Sequence, residues 1–324
     1  MDVVRDVLVV PSPGYLADPD EWMEHRPVDG PVDLGNGVML ERLRPVDGVD
    51  LAEQVIHASL PRGLNFDPPR SFGQLYSFWR EIPEQEWNGQ EMFHFDPIQA
   101  IRETVAISRL VLDNAHGFEF AGRVFDRDDG NRKIAPLTGH DGRTAYRARK
   151  TRFWFTEPEA NELRTLLDQY RAVMDDLPDR VKRAFWEAEQ SSMSRYITDA
   201  VAQIATGLEA LLNTDENEAI TAQFVKRSRQ LADELGIEGT TNTYWSGIYK
   251  KRSEVVHGAE STLVAPVGWH ESDEEPPEDV KKIGKAQDVL RSAVRRAIEN
   301  DEFCEVFESD DAIADRWPLE QPDR

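Results

Sequence analysis

The chain changes its pattern at Thr156, and no other feature constrains the fold as tightly. Thr156-Glu157-Pro158-Glu159 has the form of a capping box. The threonine covers free N–H groups, the proline sits inside the first turn, and the glutamate at the third helical position reaches back to the cap. Beyond it, apolar residues recur every three or four positions almost to the end, the period of helices buried along one face. The pattern predicts helices over about 157–175, 179–190, 193–212, 217–235, 241–257 and 277–300. Leu177-Pro178, Asn213-Thr214-Asp215 and Leu235-Gly236 separate them, and the Glu- and Pro-rich stretch from Val267 to Pro277 reads as an exposed loop.

Upstream the signals are those of strands and turns. Short apolar runs such as Val7 to Val10 and Gly37 to Leu43 are broken by Pro45-Val46-Asp47-Gly48 and Asp67-Pro68-Pro69, with a short helix expected near Leu51 to Ala58. An amphipathic helix is expected from about Pro97 to Asn114, with Ile98, Ile101, Val105 and Leu112 on one side and Ser108 as the polar interruption of that stripe; Ile107 and Val111 widen it. Phe118 to Phe125 and Tyr146 to Phe155 have strand character, with Asp128-Asp129-Gly130-Asn131 as a turn between them. The expected organisation is an α+β accessory domain over residues 1–155, an all-α bundle over 156–302 and an acidic, disordered tail over 303–324.

Charge narrows the class of partner. The formal net charge is −23, spread along the chain, and arginine greatly outnumbers lysine. Such a surface is like that of proteins in a high-salt cytoplasm, or of an acidic protein with a basic partner, and its overall field repels nucleic acid at low salt. At high ionic strength that repulsion acts only locally. Cys304 is the single cysteine, which excludes an internal disulfide and a zinc site built from several thiolates. No apolar stretch approaches the ~18 residues of a membrane span, and Met1 to Pro11 lacks a basic n-region, so a cytoplasmic protein without membrane contact, metal or cofactor is expected.

The segment most informative about chemistry is Tyr249-Lys250-Lys251-Arg252-Ser253-Glu254-Val255-Val256-His257-Gly258. Four residues separate Arg252 from His257, which on an ideal helix sets them about 140° apart. Gly258 is placed to end the helix, so that His257 falls in the last turn, where its ring is freed from strict helical geometry and where the helix dipole suits an imidazolium. Ser253, four residues earlier, lies on the same face and is placed to hydrogen-bond the ring. In the alternative reading Arg252 pairs with Glu209, at the edge of the Ile204, Leu208, Leu211 stripe, and His257 is a helix cap and nothing more.

This run resembles the R-x4-6-H signature of the HEPN superfamily. More narrowly it resembles the Tyr-x-x-Arg-Ser-x-x-Val-His-Gly run of Apea-like HEPN domains. Gly207-Leu208-Glu209-Ala210-Leu211-Leu212 is similar to that family's "LEALL" helix, and Phe224-Val225-Lys226-Arg227-Ser228 to the segment that carries an arginine in the next helix. The resemblance covers about residues 190–300. It implies an HEPN-like bundle that dimerises and cleaves RNA without a metal, with Arg252 and His257 catalytic and Ser253, Glu209, Tyr249 and Arg227 in support. It also implies a role in defence, stress or toxin-like action, held in check by the N-terminal region, and leaves room for a regulatory partner of unknown kind. Some members of the superfamily bind nucleotides or a protein partner without cutting.

The chemistry stands beside the resemblance. RNA carries its own nucleophile, the 2′-hydroxyl, next to each phosphodiester, and a histidine can take that proton or give one to the leaving 5′-oxygen. A guanidinium matches the phosphate oxygens and the charge that gathers on them. Lys250 and Lys251 are candidate contacts to RNA, as are Arg147 and Arg149 within the basic, aromatic stretch Arg143 to Trp154, which serves equally to neutralise acidic neighbours or to dock the helical domain. Asp126-Arg127-Asp128-Asp129-Gly130 lacks the ligand alternation and distal glutamate of a calcium loop. His25, His57, His94, His116, His140 and His270 lack metal-ligand spacing.

Overall fold

The computed structural model describes residues 3–13, 26, 28, 30–43, 49–59, 72–82, 99–112, 114, 120–126, 130–136, 154–194, 196–214, 219–257 and 278–319. The chain divides into two compact units, one of residues 1–143 with 151–168 and one of 144–150 with 169–324. The division falls after Asp168, inside a helix, and not at the cap where the sequence pattern changes. The first turns of that helix bury Ala160, Leu163, Leu166 and Leu167 and belong to the first unit.

In the first unit, β1 (Val3–Pro13), β2 (Val32–Asp33), β3 (Val38–Leu43), β4 (Phe72–Glu81), β5 (Ala121–Asp126) and β6 (Arg132–Pro136) form an antiparallel sheet in the order β2-β3-β4-β1-β5-β6. Two helices accompany it, α1 (Val49–Ser59) and α2 (Gln99–Val111). β1 lies between β4 and β5 and buries Val4, Val7, Leu8 and Val9, which explains its nearly unbroken apolar run. Val7 and Val9 pack with Val55 and Ile56 of α1 and with Phe120 and Val124. Leu8, on the opposite face, pairs across to Phe78, whose ring meets Phe155 edge-on at 6.5 Å. Asp6 interrupts the apolar run while fully buried, and its cross-strand neighbour Arg123 satisfies it with two hydrogen bonds, 2.8 and 3.2 Å.

Local signals account for the turns and caps. Gly35, Asn36 and Gly37 take φ of 84°, 51° and 71° between β2 and β3, the left-handed conformation these residue types tolerate. In α2, Ile101, Val105 and Ile107 are buried as expected, and the polar Ser108 is satisfied by Val105 O at 2.7 Å and by Asn114 at 2.9 Å. Strand character was expected over Tyr146 to Phe155, with no strand expected directly after the Asp128-Asp129-Gly130-Asn131 turn, where β5 finds its partner. That partner is β6, directly after the turn, while Trp154 and Phe155 are buried without strand structure and 137–153 lie outside the described residues. Asp126 accepts from Arg132 at 2.6 Å and also from Arg5; burial opposes its charge, but these two arginines outweigh it and hold the carboxyl below the usual range.

The helices run α3 (Glu157–Val173), whose later turns open the second unit, then α4 (Asp179–Met193), α5 (Ile197–Leu212), α6 (Ile220–Glu234), α7 (Asn242–Val256) and α8 (Glu278–Glu299). Each lies within a few residues of its expected span. The capping box forms as written: Thr156 N–H donates to Glu159 Oε2 at 2.8 Å and Glu159 N–H to Thr156 Oγ1 at 3.4 Å. α5 is central and packs against α4, α6, α7 and α8 through buried residues that include Val201, Ile204, Leu208 and Leu211. Among the described residues, no helix is long and apolar enough to cross a membrane.

Two glycines on these helices make a paired prediction. A Cβ on Gly207 of α5 would lie 2.8 Å from Leu290 Cδ2 and 3.1 Å from Glu187 Cβ, whereas one on Gly247 of α7 meets nothing within 4 Å. Gly207→Val is expected to destabilise the helical unit by about 2 kcal/mol through overpacking. Gly247→Ala is expected to stabilise it by about 0.5–1 kcal/mol through helix propensity. Urea midpoints of the two variants, shifted in opposite directions, check both.

The expected disordered tail is a correction. After α8 come α9 (Asp301–Glu305), a 3₁₀ turn (Val306–Glu308) and α10 (Asp310–Arg316). Phe303, Phe307, Ile313 and Trp317 are all buried, with rings in mutual contact at 5.3 to 6.2 Å. Asn300 and Ser309 cap the two helices through their side chains, at 2.7 and 3.2 Å. The acidic residues that suggested a solvated tail occupy the first turns, where the helix dipole favours them.

Candidate functional site

α7 brings the expected residues into two groups. Its start is fixed by Thr241, which accepts Tyr244 N–H at 3.2 Å, and by the buried Trp245 and Ile248. One turn later Tyr249 rests against Phe224 of α6, ring centroids 5.2 Å apart. Tyr249 in turn lies beneath the guanidinium of Arg252, 5.9 Å from its ring centroid. Arg252 Nη2 donates to Glu209 Oε2 of α5 at 2.9 Å. The pairing of Arg252 with Glu209 that the sequence left open is therefore made, with side chains 26% and 14% exposed.

Glu209 is held there at an electrostatic cost. Burial pushes its carboxyl above the usual range, and the attraction and hydrogen bond of Arg252 pull it back only in part. A carboxyl raised in the folded state favours folding most below its unfolded pKa, and that contribution fades as the pH rises, so at neutral pH the buried charge detracts from stability. Groups placed at such a cost are common where a site needs them.

His257 stands apart from this group. It is exposed at the C-terminal cap of α7, with φ −89° and ψ 3°, and its backbone N–H bonds Ser253 O at 3.0 Å. The expected hydrogen bond from the Ser253 side chain to the ring is not among the contacts of the described residues; Ser253 acts through its carbonyl instead. Gly258, expected to end the helix in the left-handed conformation, lies outside the described residues, as do Arg147 and Arg149. Lys250 is exposed and pairs with Glu254 at 3.5 Å, and Lys251 is half-buried beside it.

Arg227, expected in a supporting role, has a structural one: it is 2% exposed and bonds Leu212 O, Thr214 Oγ1, Gln223 Oε1 and Trp317 O at 2.7 to 3.1 Å. It closes the end of α5 and fastens the C-terminal segment. The sequence reading missed Arg180, which bonds Ala210 O at 3.0 Å and Asn213 O at 2.6 Å and also pairs with Asp310. Two arginines thus cap the last turn of the helix that carries Glu209. No local signal marks Arg180 for this task. Phe224, which backs Tyr249, was quoted only as part of a motif.

No family model, curated protein or solved structure matches the chain.

Proposed function

We propose that the helical unit is a metal-independent endoribonuclease of HEPN type, acting as a homodimer through that unit, in a defence, stress or toxin-like role. Arg252 holds the scissile phosphate and His257 moves protons. A base removes the proton of the 2′-hydroxyl as its oxygen attacks phosphorus. The P–O5′ bond breaks, the 5′-oxygen takes a proton from an acid, and a 2′,3′-cyclic phosphate remains. In a dimer, one His257 serves as base and its mate as acid.

The single observation that carries this reading is the state of Arg252 on the helix that ends in His257. Its guanidinium is anchored by Glu209 and Tyr249 yet remains partly exposed. A pre-set cation costs little reorganisation when charge develops on the phosphate. The same ion pair favours a second reading, a non-catalytic module that binds nucleotides or a protein partner, because Glu209 already occupies one donor of Arg252.

Cleavage separates the two. Full-length protein and Arg252→Ala are incubated with single-stranded RNA in EDTA, and the 3′ ends are analysed. The wild type should leave cyclic phosphates, and the variant should be at least ~100-fold slower, as when a group that stabilises transition-state charge is removed. Equal, feeble cleavage by both proteins points to contamination and leaves the binding module.

A further inference from the structure

The three nitrogens of Arg252 are in three different situations. Nη2 is spent on Glu209 at 2.9 Å. Nε is enclosed without a hydrogen-bond partner. Nη1 is not among the enclosed atoms and makes no hydrogen bond to a described residue, so it is the donor left for an incoming anion. The plane of the fork is fixed by Tyr249, itself backed by Phe224.

Charges of both signs flank the fork. On this part of α7, Lys250, Lys251 and Arg252 stand against Glu254 and the Glu209 of α5, with Lys250 and Arg252 each paired to one carboxylate. An anion bound at Nη1 therefore feels an attractive guanidinium and a repulsive carboxylate side by side. The repulsion scales with the ligand's own charge.

We propose that Glu209 is a positioning residue that also levels ligand charge: it holds Arg252 through Nη2, leaves Nη1 to the ligand, and cancels most of the advantage that a doubly charged terminal phosphate would have over a singly charged phosphodiester. The inference rests on the reading of Arg252 as the phosphate contact, but it does not require that RNA be cut. Without Glu209 the same arginine would bind more tightly as the anion's charge grows. With it, most of that advantage is lost.

The test uses full-length protein and two ligands that cannot be cleaved: a dinucleoside phosphodiester methylated at the 2′-oxygen, and the matching nucleoside 3′-phosphate. Dissociation constants are measured at fixed ionic strength, at a pH where the terminal phosphate carries two charges. Wild type is expected to bind the two ligands within a few-fold of each other. Glu209→Gln should tighten the diester by about 5-fold and the terminal phosphate by about 25-fold, one factor of roughly 5 per unit of ligand charge. Glu209→Asp keeps the charge, so the ratio of the two constants should stay within about 2-fold of wild type even where the shorter side chain weakens both ligands.

An unchanged ratio in the Gln variant overturns the proposal. So does an Asp variant whose ratio shifts like that of Gln, since distortion rather than charge would then be the cause, and so does a wild type that binds neither ligand at millimolar concentration. A ratio that shifts in Glu209→Gln but not in Glu209→Asp, in a protein that leaves RNA intact, supports the role of Glu209 and removes the ribonuclease.

Discussion

Replacing Arg227 by alanine is expected to destabilise the helical unit by about 3–5 kcal/mol, the range for breaking a buried, hydrogen-bonded charge network. The reason lies at the end of α5, where the last carbonyls have no partners within the helix. Arg227 bonds Leu212 O at 2.8 Å and, through the same Nη1, Thr214 Oγ1 and Gln223 Oε1 at 3.0 and 2.7 Å. Its Nε bonds Trp317 O at 3.1 Å, which ties the C-terminal segment to α6. Truncation takes the guanidinium donors from Leu212 O and Trp317 O, at a cost of about 1–3 kcal/mol for each left unpaired, and adds a cavity, while Gln223 Oε1 keeps the N–H of Thr214 at 2.9 Å. Arg227→Lys should cost less, about 2 kcal/mol, because an ammonium keeps the charge but lacks the planar fork.

Urea denaturation read together with hydrogen exchange checks this. Amides at the end of α5 and in α9 and α10 should lose protection first, since the segment is then held by fewer contacts: Glu234 with Arg316 at 2.6 Å and Trp317 Nε1 at 3.1 Å, Gln230 with Pro318 O at 3.1 Å, and Arg180 with Asp310. A loss below 1 kcal/mol would mean that the guanidinium is no keystone. Per folded molecule, RNA cleavage should stay within a few-fold of wild type. A large loss of cleavage without loss of stability would return Arg227 to the site.

How far these arrangements can be read from sequence depends on where their causes lie. The helices follow from local pattern: the capping box at Thr156, the Leu177-Pro178 break and the apolar period of α5 each act within a few residues. The ion pair of Arg252 with Glu209, 43 residues away, was open to the reading because Glu209 sits at the edge of an apolar stripe that has to be buried. Nothing comparable marks Arg227 and Trp317, 90 residues apart, or Arg180 and Asp310, 130 apart.

The tail was misread for a different reason. Asn300 and Ser309 are caps, and the aromatic residues after them fall at helical spacing. Counting acidic residues hid that pattern, since acid in a first turn is a helix signal as well as a sign of solvation. Strand character was read in Tyr146 to Phe155, most of which lies outside the described residues. The five-residue β6 after the turn was missed because Arg132 and Lys133 offer no apolar alternation.

His257→Ala should abolish cleavage while leaving the fold alone, and that combination makes it the sharpest test of the ribonuclease. Loss of a general acid or base slows reaction by about 10²- to 10⁴-fold, or roughly 3–5 kcal/mol of transition-state stabilisation. The fold is spared because the contact His257 makes is a backbone one: its N–H bonds Ser253 O at 3.0 Å, and alanine retains that group. The side chain is exposed, so stability should change by no more than about 0.5 kcal/mol. Arg252→Ala tells cleavage by this protein from contamination, but it also strands the half-buried Glu209 carboxylate without its cation, so its loss of activity includes any weakening of the fold. Mixing wild type with excess His257→Ala extends the test. If each cleft needs one imidazole as base and its mate's as acid, mixed dimers are inactive and activity falls with the square of the wild-type fraction. A linear fall would place both proton transfers within one chain. Full activity in His257→Ala would remove the histidine from the chemistry and leave Arg252 as an anion contact.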